Sequence, residues 1–175
     1  MTLMEDWIAA HNFEPDQVKR IEVQTNERIY NTLLHHRPRT GLQSKFSLPF
    51  ALAIIVLRRK AGFAEFTDAV ASDRVVQAMI ERINYTPYTE LAPDYTNVTT
   101  LLRVTLNDGR EYSGRVDFGK GHPKRRMDYH ALAHKFHDCA THARWPEGKA
   151  KSVVEMIRQV EDIPDVRELT RLLVL

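Results

Sequence analysis

Ser44-Lys45-Phe46-Ser47-Leu48-Pro49-Phe50-Ala51-Leu52-Ala53 sets a cation, a capping hydroxyl and an early-turn proline directly ahead of an apolar run that continues to Leu57. The run is too short to span a bilayer and suits a helix buried in a protein core. Ser47 reads as the N-cap, and Pro49 falls in the first turn, where a missing N–H costs nothing. The start of such a helix carries unpaired N–H groups and a partial positive charge, to which Lys45 adds a full one. A small anion such as a carboxylate suits that position. The alternative is a capped core helix beside a solvated lysine, and the spacing alone leaves both open.

Outward from this helix, which the pattern carries over 48–60, the chain alternates between the two periodicities. Residues 3–12 read as a short amphipathic helix closed by the turn Glu14-Pro15-Asp16. Ile21, Val23 and Thr25 alternate with Glu22 and Gln24, the period of a half-buried strand. Residues 26–43 are polar and irregular, with His35, His36, Arg37 and Arg39 clustered. A second helix is predicted over 65–82 from the stripe Phe66, Val70, Val75, Met79 and Ile83. Thr86 to Glu90 reads as a short edge strand, because Pro87 cannot donate to a central ladder. Residues 98–106 and 111–118 form a hairpin across Asn107-Asp108-Gly109. Helices over 128–143, 149–161 and 165–173 finish the chain. The pattern predicts an α+β fold: a small antiparallel sheet with packed helices, then a C-terminal helical tail.

Two clusters invite functional readings. His130, His134 and His137 share one helical face. However, Ala131 stands where a metalloprotease would carry its glutamate, and a zinc site also needs a third ligand with the right reach and a second shell to orient it. An exposed histidine stripe is the simpler reading, and no metal is expected. The loop Lys120-Gly121-His122-Pro123-Lys124-Arg125-Arg126 could hold nucleic-acid phosphates. It is short and has no interleaved aromatic residues, so no nucleic-acid partner is expected. Cys139 lies on the apolar face of its helix and reads as a core thiol.

The 175 residues carry a net charge of +2, with 43% hydrophobic and 27% charged residues, ordinary values for a folded body. One cysteine excludes an internal disulfide framework and fits a reducing compartment. Acids at Glu5 and Asp6 stand where a signal or transit peptide would be basic. A cytoplasmic, membrane-free protein is expected.

Three ordered blocks resemble the C-terminal part of the MmgE/PrpD family, which includes 2-methylcitrate dehydratase, cis-aconitate decarboxylase and iminodisuccinate epimerase. Pro38, Thr40, Gly41, Lys45, Phe46, Ser47, Leu48 and Pro49 fit its Pro-x-Thr-Gly-x-x-x-Lys-Phe-Ser-Leu-Pro-like stretch. Val104-Thr105-Leu106-Asn107-Asp108-Gly109-Arg110 matches its strand–Asp-Gly–strand hairpin. Gly121-His122-Pro123, Leu132, Lys135-Phe136 and Asp138-Cys139-Ala140 follow its Gly-x-Pro … Leu-x-x-Lys-Phe-x-x-Cys-Ala pattern. The basic loop departs from the family, which usually has an acid at His122 and a proline at Arg126.

The resemblance implies cofactor-independent lyase or isomerase chemistry on small di- or tricarboxylates. It needs a positioned base and cationic partners for developing enolate-like charge. Family enzymes are more than twice as long, so the chain reads as a truncated C-terminal segment. Residues 1–14 would be a linker helix, 15–126 an α+β lid, and 127–175 helices that pack on a helical domain. Most catalytic groups would then come from that helical domain, and the expected partner is a second copy of the chain or a complementing helical segment. Phe46 stands where the dehydratase and decarboxylase branches carry a histidine, and Thr99 where the decarboxylase branch carries a tyrosine. Lys45 and Ser47 are left as the substrate-binding candidates, with no catalytic residue assigned. The alternative is a non-enzymatic relic or binding module that keeps the lid fold.

Overall fold

The structure, a computed structural model, describes residues 1–90 and 94–174. The chain divides into two compact units, Met1–Arg126 and Met127–Leu175.

The first unit opens with α1 (Thr2–His11), which stops at Asn12 in the left-handed conformation. Then follow β1 (Val18–Thr25), α2 (Glu27–Thr32), α3 (Gly41–Ser44) and α4 (Leu48–Arg58). After these come α5 (Asp68–Ala71), α6 (Arg74–Ile80), β2 (Ile83–Pro87), β3 (Thr100–Leu106) and β4 (Glu111–Val116). The polar segment expected to be irregular holds two short helices, each begun by a side-chain cap. Asn26 accepts from the Ile29 N–H and Thr40 from the Gln43 N–H.

The helix predicted over 65–82 is broken into a 3-10 turn, α5 and α6. Two caps explain the break: Thr67 accepts from the Val70 N–H, and Asp73 from the N–H groups of Val75 and Val76. Each starts a new helix and turns its axis, so the apolar stripe does not run through. Val75, predicted on the stripe, is 63% exposed, whereas Val76, Met79 and Ile80 are buried.

The fold is α+β, around one four-stranded sheet in the order β2-β1-β3-β4. β1–β3 and β3–β4 pair antiparallel, as expected. β2 is the edge strand expected around Pro87, but it spans Ile83–Pro87 rather than 86–90, and it pairs parallel to β1, with Ile21 opposite Ile83 and Val23 opposite Tyr85. The sheet is therefore mixed. The helices between β1 and β2 form a crossover long enough to return the chain in the same direction, which a tight turn cannot do. The β3–β4 turn is the one predicted, with Gly109 at φ 88° and its N–H donating to the Leu106 carbonyl at 3.1 Å.

One sheet face, carrying Ile21, Val23, Tyr85, Leu102 and Val104, is buried. α4 fills the core against it, buried continuously from Pro49 to Val56. α1 belongs to the same core through Met4 and Ile8. Trp7, His11 and Phe13 gather on the Tyr112 ring of β4, with centroids at 6.1, 4.4 and 5.7 Å. At the far end of α4, the Arg59 guanidinium donates to the Phe13 carbonyl at 2.8 Å, just ahead of β1. α4 thus runs opposite to β1, and its first turn lies at the end of the sheet where β1 and β2 finish.

The second unit holds α7 (Tyr129–His142), α8 (Glu147–Arg158) and α9 (Val166–Leu173). Asp128 and Asp165 cap the first and last of these. Its buried apolar residues, among those described, are Ala140, Ala150, Val153 and Leu169. Leu132, two turns before Cys139 on the same side of α7, is 52% exposed. Among the described residues, no helix is long and apolar enough to cross a membrane.

Candidate carboxylate site

The site candidates lie on the bend between α3 and α4. Ser44 is fully buried and its hydroxyl donates to the Gly41 carbonyl at 2.7 Å, closing α3. Lys45 is the C-cap of α3, and the Phe46 and Ser47 N–H groups fold back onto Gln43 and Ser44. Ser47, at φ −132° and ψ 108°, is the predicted N-cap: buried, with its Oγ accepting from the Phe50 N–H at 3.2 Å.

The first-turn donors of α4 are mostly used internally. Phe50 donates to the Ser47 hydroxyl, Ala51 to the Ser47 carbonyl at 3.1 Å, and Pro49 has no N–H. Among the described residues only the Leu48 N–H of that turn is left without a partner. Lys45 is exposed, and among the described residues it pairs with no carboxylate. A carboxylate here would therefore be held mainly by the Lys45 ammonium, with the helix end supplying a weaker field.

Gly41 fixes where this bend sits. Its N–H donates to the Asp68 carboxylate at 2.7 Å, seating α3 against α5. A Cβ there would lie 2.6 Å from the Phe66 carbonyl oxygen and 2.9 Å from the Thr67 Cα.

The structure also brings the clustered histidines to this bend. The His35 N–H donates to the Phe46 carbonyl at 3.3 Å, setting residues 35 and 36 alongside 45–47. The His36 ring rests on Tyr30 and Tyr85, with centroids at 4.7 and 5.3 Å. Tyr85 is held in turn by a buried hydrogen bond with the Thr25 hydroxyl at 2.8 Å. Burial holds the His36 pKa below its usual value and pushes the Tyr85 phenol above its own. The sequence shows the histidine pair but not its neighbours, because Thr25, Tyr30 and Tyr85 come from three different elements.

Thr99 lies elsewhere and is a structural clamp. It is fully buried, donates to the Asp117 carboxylate at 2.6 Å, and accepts from the Thr96 N–H at 2.8 Å. That hydrogen bond, with a second from the Arg115 guanidinium at 2.8 Å, holds the Asp117 carboxyl below its ordinary range. Phe46 is 46% exposed and contributes no titratable group. His130 and His134 are exposed on α7, and no group of three or more potential metal ligands converges among the described residues. The basic loop is folded on itself. His122 stacks on Phe118 at 4.5 Å, and Lys124 lies over the same ring at 4.9 Å.

Hollows of 410, 380 and 520 Å³ open on the first unit, but their linings include neither Lys45 nor Ser47. At the bend, Lys45 and Phe46 are exposed while Ser44 and Ser47 are buried.

The MmgE/PrpD C-terminal domain matches residues 3–162. With that match spanning the capped helix, the sheet and the first two helices of the tail, the chain belongs to the MmgE/PrpD family. No curated protein matches it.

Proposed function

We propose that the first unit is the carboxylate-holding part of an MmgE/PrpD-type lyase or isomerase acting on small di- or tricarboxylates without a cofactor. The observation that supports this most directly is the exposed Lys45, free of any carboxylate partner among the described residues. It stands beside the Ser47-capped start of α4, in a chain of this family. Such a cation can neutralise a substrate carboxylate or the negative charge that develops beside it when a proton is removed.

Fumarate, doubly ionised near neutrality, is a suitable binding probe. Lys45→Ala is expected to weaken its binding about tenfold by calorimetry, the loss of one charge-assisted contact. Ser47→Ala should mainly cost stability, about 0.5–2 kcal/mol, as at other N-caps. Unchanged fumarate affinity in Lys45→Ala would return the lysine to a solvated surface role.

The second half of the proposal is that this segment works in a cytoplasmic homo-oligomer or with a complementing helical segment. Two observations support it. Lys45 is exposed, so water screens a developing charge beside it. The second unit leaves Leu132 52%, Val160 48%, Val166 60% and Val174 68% exposed. Where such residues form a contiguous patch, they generally mark an interface. The purified chain is expected to self-associate in light scattering. It should not turn over citrate-, aconitate- or iminodisuccinate-like substrates unless a helical segment is supplied. A monodisperse monomer with slow amide exchange throughout α7–α9 would contradict the first expectation. Turnover by the lone chain, abolished in Lys45→Ala, would contradict the second.

A further inference from the structure

We infer that His36 is a second anion-contacting group of this surface, which makes its affinity for carboxylates depend on pH. The inference rests on the carboxylate reading of Lys45 and adds a residue to it. Three structural features carry it. The segment bearing His36 is pinned at several points: His35 to the Phe46 carbonyl at 3.3 Å, the buried Pro38 carbonyl to the Gln77 amide at 2.8 Å, and the Arg39 N–H to the Gln43 side chain at 2.8 Å. The ring is oriented by contacts from two elements, Tyr30 of α2 and Tyr85 of β2, and Tyr85 is itself fixed by Thr25 of β1. Yet neither ring nitrogen has a hydrogen-bond partner among the described residues, and the side chain keeps partial access to solvent. An imidazole held this firmly, with both nitrogens free and on a segment hydrogen-bonded to the bend that carries Lys45, is arranged for a ligand rather than for an internal bond.

The surrounding charges favour an anion over a cation. The rings packed on His36 are neutral tyrosines. Along the chain His36 is flanked by His35 and by Arg37, whose charge is shared with Glu81 across 3.7 Å. Lys45 belongs to the bend onto which the His35 N–H is hydrogen-bonded. No carboxylate pairs with His36 among the described residues, so nothing there compensates its charge when it takes up a proton.

The sign follows from burial. With its pKa below the ordinary value, His36 is neutral near pH 7 and gains its charge only as the pH falls. A bound dicarboxylate stabilises the charged form and raises that pKa, and by reciprocity the charged form binds the dicarboxylate more tightly. Tyr85 remains protonated throughout, since burial raises its pKa further from this range.

The test uses the full chain with fumarate, which stays doubly ionised across the range. The wild-type His36 imidazole is titrated by NMR with and without saturating fumarate, and fumarate affinity is measured from about pH 7.5 to about pH 5.5. Fumarate is expected to raise the His36 pKa, and affinity to increase about fivefold as the pH falls. His36→Gln is expected to flatten that increase. His36→Phe, which keeps the ring on Tyr30 and Tyr85, should do the same if glutamine disturbs folding. An unchanged His36 pKa under saturating fumarate overturns the inference, as does a pH profile that His36→Gln and His36→Phe leave intact. If Lys45→Ala abolishes binding while the His36 pKa stays unmoved, the carboxylate reading survives and this inference fails. If wild type binds no fumarate at either pH, both fall.

Discussion

Phe50→Ala is expected to lower the stability of the first unit by about 3–5 kcal/mol, the usual cost of truncating a fully buried phenylalanine. Phe50 has no exposed surface and lies in the first turn of α4, a helix buried along most of its length. Its ring meets Phe66 at 5.4 Å, in the turn that precedes α5, so the truncation opens a cavity between two elements rather than at a surface that can close over it. Urea unfolding monitored at Trp7, which packs on the core of the first unit, reads this loss directly. Val75→Ala is the control. With Val75 63% exposed, its removal should change stability by less than about 0.5 kcal/mol. A Phe50→Ala loss below about 1 kcal/mol would mean that α4 is not the centre of the core.

Gly41→Ala should combine a fold defect with a site defect. The added Cβ would stand 2.6 Å from the Phe66 carbonyl oxygen and 2.9 Å from the Thr67 Cα. Both are backbone atoms that cannot rotate away as a flexible side chain would. Either α3 moves off α5 or the Thr67-capped turn deforms, and overpacking of this kind typically costs about 1–3 kcal/mol. Lifting α3 also breaks the Gly41 N–H bond to Asp68 and shifts Lys45, the residue that closes the helix. Fumarate binding should therefore fall with stability, although residue 41 contacts no ligand. Gly148→Ala, where an added Cβ meets nothing within 4 Å, should leave stability unchanged or raise it. If Gly41→Ala matched that control, the close approach of α3 to α5 would not constrain the bend.

What could be read from the chain alone follows from forces that act within a few residues. Ser47, Pro49 and the apolar run to Leu57 specify a capped, buried helix, because cap, proline and burial agree over one short stretch. The hairpin was equally legible, since Gly109 supplies the positive φ that the turn needs. The alternation of Ile21 and Val23 marked the buried strand face for the same reason. Where two local signals competed, the weaker one was misread. The stripe from Phe66 to Ile83 suggested one helix, but the caps at Thr67 and Asp73 divide it.

The direction of β2 was not written in its own residues. An edge strand with Pro87 can pair either way, and the length of the helical crossover from β1 made it parallel. Thr99 gave no local sign that it would be buried on Asp117, a partner 18 residues away on the far side of the hairpin. The same holds for His36. Its sequence neighbours are polar, and only the packing of α2 and β2 places Tyr30 and Tyr85 against its ring. The sequence by itself determined the capped helix, the hairpin and the candidate pair Lys45 and Ser47. Tertiary structure alone decided which side chains stand beside them, because contacts between distant elements depend on how whole elements pack and not on the spacing within any one of them.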